Sequence, residues 1–131
     1  MAASLQPLKK IKEVGLEVKV AMQNDVNGIG WCVNDYYSDL GIKYLNMGTH
    51  GHRALIAFDK PTLFWWESPS GNKMLAYRAE HYMTGNFFEI HKDNFNAFED
   101  KLLTYLSDLK TRGYEYNLIS IQHSEIGRAH V

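Results

Sequence analysis

The sequence predicts an α/β fold with a mostly parallel sheet. Three observations carry that expectation. Helical and strand patterns alternate along the chain. The last apolar run, "YNLISIQ", has the continuous hydrophobic character of a strand buried on both faces. No internal repeat, low-complexity segment or linker interrupts the pattern, so it reads as part of one domain.

The elements follow in order. "SLQPLKKIKEVG" sets Leu5, Leu8, Ile11 and Val14 three apart, one stripe of a helix, with Gly15 as its C-terminal cap. "LEVKVAM" alternates Leu16, Val18 and Val20 against Glu17 and Lys19, the pattern of a half-buried strand. "QNDVNGIG" has turn chemistry, and "WCVNDYYSDLG" reads as a short helix stopped by Gly41. "IKYLNM" is a second strand, followed by the loop "GTHGHR". "TLFWWES" and "KMLAYRA" flank "PSGN" as a hairpin. "DNFNAFEDKLLTYLSDLKTRG" is the clearest helix. It aligns Phe95, Phe98, Leu102, Tyr105, Leu106 and Leu109 on one face, with Asp93 or Asn94 as cap and Gly113 as stop. "YNLISIQ" closes the series as a strand.

With 131 residues the chain can form one ordinary domain or about half of a large α/β barrel. Hydrophobic residues at 45% and charged residues at 22% are globular composition. A net charge of −1 gives no electrostatic reason for nucleic acid as a partner, and no apolar run approaches the length of a membrane span. Cys32 is the single cysteine, which excludes an intramolecular disulfide framework and a cysteine-built zinc site. The three Trp, eight Tyr and six Phe suit either a large core or a sugar-binding cleft.

In parallel α/β architectures the site forms on loops at the carboxyl ends of the strands. "QNDVNG", "GTHGH" and "QHS" occupy such positions and are expected to open on one face. Asp25, just past a strand, can act as nucleophile, general base or metal ligand; it can equally cap a helix or hold a turn. Gly28 and Gly30 beside it would allow close approach of backbone or substrate. His50 and His52 invite a zinc reading, but zinc needs three or four ligands and no further Cys or His spacing completes the set. Trp65 and Trp66 point to opposite faces of their strand, so one belongs to the core and the other either stacks on a sugar or is buried too. His81 and Tyr82, in "EHYMTGN", can hydrogen-bond a hydroxylated substrate, although that is also ordinary loop chemistry. His123 stands at the end of the final strand.

The segment "VAMQNDVNGIGWCVNDYYSDLGIKYLNMG" resembles the nucleophile segment of glycoside hydrolase family 38, the α-mannosidases and their bacterial relatives. There a strand ends in an Asp-x-x-Gly turn, then a short helix leads through "GI" into the next strand. "TLFWWESPSGNKMLAYRAEHYMTGN" is similar to that family's aromatic-Trp strand, Ser/Gly turn, second strand and tyrosine-bearing loop, and "YNLISIQHS" to the strand that delivers the acid/base carboxylate. The resemblance covers most of residues 5–124. It implies a seven-stranded (β/α) barrel, retaining hydrolysis of a carbohydrate substrate and a zinc ion on the sugar hydroxyls. Asp25 falls at the nucleophile and zinc ligand, Trp66 at the strand Trp, and Tyr82 near the substrate tyrosine. His50 and His81 join the substrate-binding set, and the complete enzyme is a candidate homo-oligomer.

Departures accompany the likeness. The family's turn usually reads Asp-Pro-Phe-Gly-His, and here it reads Asp25-Val26-Asn27-Gly28-Ile29. The family's upstream His-x-Asp zinc pair is absent, the acid/base Asp is expected immediately after Ser124, and the last zinc His lies beyond Ser124. "EIGRAHV", residues 125–131, resembles a translated sequencing adapter and is set apart as a non-native tail. Residues 1–124 are then an incomplete catalytic barrel, expected to be inactive and prone to associate through uncovered strand edges. Two alternatives remain at this level: a polysaccharide deacetylase-type metal-dependent barrel, and a non-catalytic carbohydrate-binding or scaffold module built on "FWW" and "HYMTGN".

Overall fold

The computed structural model describes residues 2–26, 28–51 and 58–123. The elements are α1 (Ala2–Glu13), β1 (Val20–Asn24), α2 (Val33–Asp39), β2 (Tyr44–Gly48), β3 (Thr62–Glu67), β4 (Lys73–Ala79), α3 (Thr84–Phe87) and α4 (Phe95–Thr111). The chain forms two compact units. One comprises Met1–Gln23, Gly28–Met47 and Leu63–Tyr77; the other comprises Asn24–Asn27, Gly48–Thr62 and Arg78–Val131.

The strands form a single sheet in the order β1-β2-β4-β3. Asp25 N–H donates to Gly48 O and Lys43 N–H to Lys19 O, so β1 and β2 start and end together and are parallel. Leu75 N–H to Lys43 O and Tyr82 N–H to Thr49 O set β4 parallel to β2 in the same way. β3 joins β4 through a tight turn in which Ser68 N–H donates to Asn72 O, so the fourth strand is antiparallel.

The seven-stranded (β/α) barrel expected from the resemblance does not form. The described residues contain an open, mixed four-stranded sheet with β1 and β3 at its edges. A turn this short cannot make the crossover that keeps neighbouring strands parallel. The last expected strand is also missing, because residues 114–121 adopt no ladder. An apolar run becomes a strand only where a sheet edge takes up its backbone groups. Here Leu118 is exposed with its carbonyl accepting from the Tyr114 hydroxyl, and the Gln122 carbonyl goes to Gly85 N–H.

In the first unit, Leu45, Met74 and Ala76 are the buried core, with Ala21, Ile29, Tyr37, Met47, Phe64 and Trp66 packed against it. Full burial of a side chain such as Leu45 stabilises by roughly 1.5–3 kcal/mol. The facing of β1 corrects the expectation from "LEVKVAM". Ala21 meets the core, whereas Val20 is 53% and Met22 61% exposed. A one-residue change of register exchanges every inward and outward side chain of a strand.

Asp35 fastens α2 to the β3–β4 turn. Its Oδ1 accepts from Ser68 Oγ at 2.5 Å and Asn72 Nδ2 at 2.9 Å, and its Oδ2 from Ser70 Oγ at 3.2 Å. These bonds hold its carboxyl below the usual carboxylate range, the Ser68 bond most of all and then that from Asn72. Asn34, buried beside it, donates to Trp66 O and Asn72 O.

In the second unit, Arg112 forms a two-pronged pair with Glu80 at 3.0 and 3.1 Å. Lys60 Nζ donates to Arg112 O and Gly113 O, placing a cation at the negative end of α4. Asn94 caps the other end by accepting from Ala97 N–H at 3.1 Å. One stop signal serves α1, α2 and α4: Gly15, Gly41 and Gly113 have φ of 79°, 78° and 72°. In each case the residue after the glycine donates back into the last turn, Leu16 to Ile11 O, Ile42 to Tyr37 O and Tyr114 to Leu109 O.

Candidate functional site

The second unit gathers four of the residues singled out from the sequence. β1 ends at Asn24, and Asp25 then takes φ 62°, a left-handed conformation uncommon outside glycine but tolerated by Asp. Its N–H is fixed on Gly48 O at 3.0 Å. The carboxylate stays 60% exposed, with Oδ1 3.6 Å from Nε2 of His50. The backbone is therefore spent on positioning, and the charge is left accessible.

Around His50 the rings form a group. His50 stacks on Tyr82 with centroids 5.5 Å apart and an interplanar angle of 19°. His81 stacks on Tyr82 at 4.7 Å and lies 5.8 Å from His50. His81 is buried, and its Nδ1 accepts from Met83 N–H at 3.0 Å. That bond requires Nδ1 to be unprotonated and so selects the tautomer with hydrogen on Nε2. Thr84 Oγ1 donates to His81 O at 2.7 Å, and Tyr82 N–H to Thr49 O at 3.2 Å. A carboxylate, an imidazole and a phenol ring thus share one corner. The group offers an exposed carboxylate beside ring faces and polar ring atoms.

Trp66 lies in the first unit. It is half-buried on the Leu45–Met74–Ala76 core, while Trp65 is 67% exposed. His123 stands near Gly85, with its ring 5.8 Å from that of His91. His52, Ser124 and residues 125–131 lie outside the described residues, as does Asn27 within the Asp25 turn.

Among the described residues a β-carbon at Gly28 would meet nothing within 4 Å and one at Gly30 only Val33 Cγ2 at 3.8 Å and Cys32 Sγ at 4.0 Å, so packing there does not require glycine at either position. The close approach occurs instead at Gly48. A β-carbon there would lie 2.6 Å from both Asn24 Oδ1 and Tyr82 Cβ, and closer still to Gln122 Oε1. Gly85 is comparable, with Ile90 Cδ1 at 2.8 Å and Gln122 O at 3.0 Å from the same construction. Sequence reasoning missed Gly48, Gly85 and Gln122 as a set. The only local signal was a glycine at the end of a strand, since the contacts join segments far apart in the chain.

A zinc site needs three or four donors. Among the described residues no group of three or more His, Cys, Asp or Glu side chains can hold a metal ion. Asp25 and His50 stand 3.6 Å apart, and two side chains do not by themselves make a zinc site. No helix among the described residues is long and apolar enough to cross a membrane.

No curated protein and no solved structure matches the chain. Residues 10–121 match the sequence model described as the glycosyl hydrolases family 38 N-terminal domain. That stretch holds Asp25, His50, His81 and Tyr82 together with every strand of the sheet, and the chain belongs to glycosyl hydrolase family 38.

Proposed function

We propose that the chain carries the nucleophile of a retaining glycosidase acting on α-mannosides, and that Asp25 is that nucleophile. One observation supports this above the others: Asp25 is pinned through its backbone in a left-handed conformation while its carboxylate remains open to solvent beside His50. Retaining hydrolysis needs two carboxylates about 5 Å apart. Asp25 attacks the anomeric carbon, and a glycosyl ester forms as the bond to the leaving oxygen breaks. The leaving oxygen takes its proton from a protonated acid/base carboxyl group outside the described residues, which is left as a carboxylate. The same group then deprotonates a water, which releases the sugar and frees Asp25.

His50, His81 and Tyr82 orient the sugar through its hydroxyls and its apolar face. Trp66 is accounted for by the core it packs on. Asp25 is also the residue that would ligate zinc, with further ligands from outside the described residues. When bound, the metal would hold sugar hydroxyls and favour distortion of the ring.

Asp25→Asn tests the role. Turnover of an aryl α-mannoside should fall by at least about a thousandfold with little change in KM, because the covalent step needs the carboxylate. Near-normal turnover would make Asp25 a turn residue and remove the main support for the assignment.

A further inference from the structure

Gln122 is 5% exposed, and among the described residues neither its Oε1 nor its Nε2 has a hydrogen-bond partner. Its backbone is firmly held, the carbonyl accepting from Gly85 N–H at 2.6 Å. The side chain, by contrast, occupies the space over Gly48 that a β-carbon would fill, bounded by Asn24 Oδ1 and Tyr82 Cβ. A buried carboxamide in this state is desolvated at both polar atoms and forms no compensating hydrogen bond among the described residues. A Met or Leu would fill the same space at lower cost. Buried polar groups without partners are rare, and each calls for an explanation outside simple packing.

The surroundings point to one. Asn24 precedes Asp25, Gly48 O holds the Asp25 N–H, and Tyr82 belongs to the ring group beside His50. We propose, resting on the carbohydrate reading above, that Gln122 is a specificity-determining residue of the Asp25 site. Its carboxamide turns out of the space over Gly48 and binds a hydroxyl of the sugar, donating through Nε2 or accepting through Oε1. An amide suits a hydroxyl, which both donates and accepts. Turning out breaks no hydrogen bond with the described residues, whereas moving a satisfied amide would break at least one. Gly48 supplies the resting place, since any side chain there would expel the amide.

Gln122→Met keeps the length and bulk of the side chain and removes both polar atoms. The variant should melt about 3–5 °C above the wild type, because a desolvated amide has been replaced by an apolar group. It should bind methyl α-mannoside about tenfold more weakly in a calorimetric titration. In the wild type, the side-chain amide resonance of Gln122 should shift as the same glycoside is added. A variant that melts below the wild type would assign the amide to the fold, and equal affinity would remove it from recognition; either result overturns the proposal. If the wild type itself binds neither methyl α-mannoside nor the corresponding glucoside or galactoside, the carbohydrate reading falls and this inference with it. That outcome is visible before any variant is made.

Discussion

Asp25 and Gly48 are joined by a single backbone hydrogen bond of 3.0 Å, and each is in a state that few other residues could adopt. Asp25 has a positive φ without being glycine, and Gly48 has no room for a β-carbon. The bond ties the exit of β1 to the end of β2, and the candidate nucleophile stands at that junction.

Asp25→Gly should preserve the fold. A left-handed position accepts glycine without steric cost, so stability should change by no more than about 1 kcal/mol in either direction. Urea unfolding of this variant checks the backbone argument separately from any activity. A loss well beyond that range would mean that the Asp25 side chain holds the turn.

Gly48→Ala should destabilise by about 1–3 kcal/mol, the usual range for overpacking a filled space. It should also alter the ring-current shifts of Tyr82, whose Cβ borders that space. Gly28→Ala is the control. Its β-carbon would meet nothing within 4 Å, so denaturation midpoints should match the wild type.

The Ser68, Ser70 and Asn72 bonds to Asp35 make stability depend on acid. The folded-state pKa of Asp35 is lowered below its ordinary value, Ser68 contributing most. Its contribution is therefore complete above the ordinary carboxylate pKa of about 4 and is lost as pH falls through the lowered value. In melting curves recorded on acidification, Asp35→Asn should flatten this part of the stability profile, and Ser68→Ala should flatten it in part. An unchanged acid limb in both variants would contradict the network.

Much of the local structure was legible because its causes are local. The β3–β4 hairpin forms where "TLFWWES" and "KMLAYRA" placed it, the first strand ending one residue early at Glu67, since "PSGN" carries turn chemistry. Gly15, Gly41 and Gly113 stop their helices where the pattern placed them. Long-range decisions were not legible. Nothing within "LEVKVAM" says that Ala21, and not Val20, meets Leu45, Met74 and Ala76. "YNLISIQ" has the composition of a strand, but composition cannot supply a neighbouring edge, and the segment forms none. At the site, Asp25, His50, His81 and Tyr82 stood out as chemistry at strand ends. Gln122 and Gly48 did not, because their relationship exists only once the chain is folded.

Zinc content offers a separate check on the proposed site. On the proposal that Asp25 ligates zinc, Asp25→Asn should lower the bound metal, since the carboxylate becomes a neutral amide. His50→Ala should leave it nearly unchanged, because His50 is expected to contact Asp25 and the substrate and not the metal. Elemental analysis after dialysis distinguishes the two. Equal loss in both variants would assign His50 to the ligand set.

The most direct measurement is covalent. A fluorinated mannosyl fluoride that forms the glycosyl ester faster than water releases it should accumulate on the enzyme. Mass spectrometry of the peptides should find one added fluoroglycosyl group, on Asp25, and none in the Asp25→Asn variant. A label on another carboxylate, with Asp25 unmodified and turnover intact, would contradict the account.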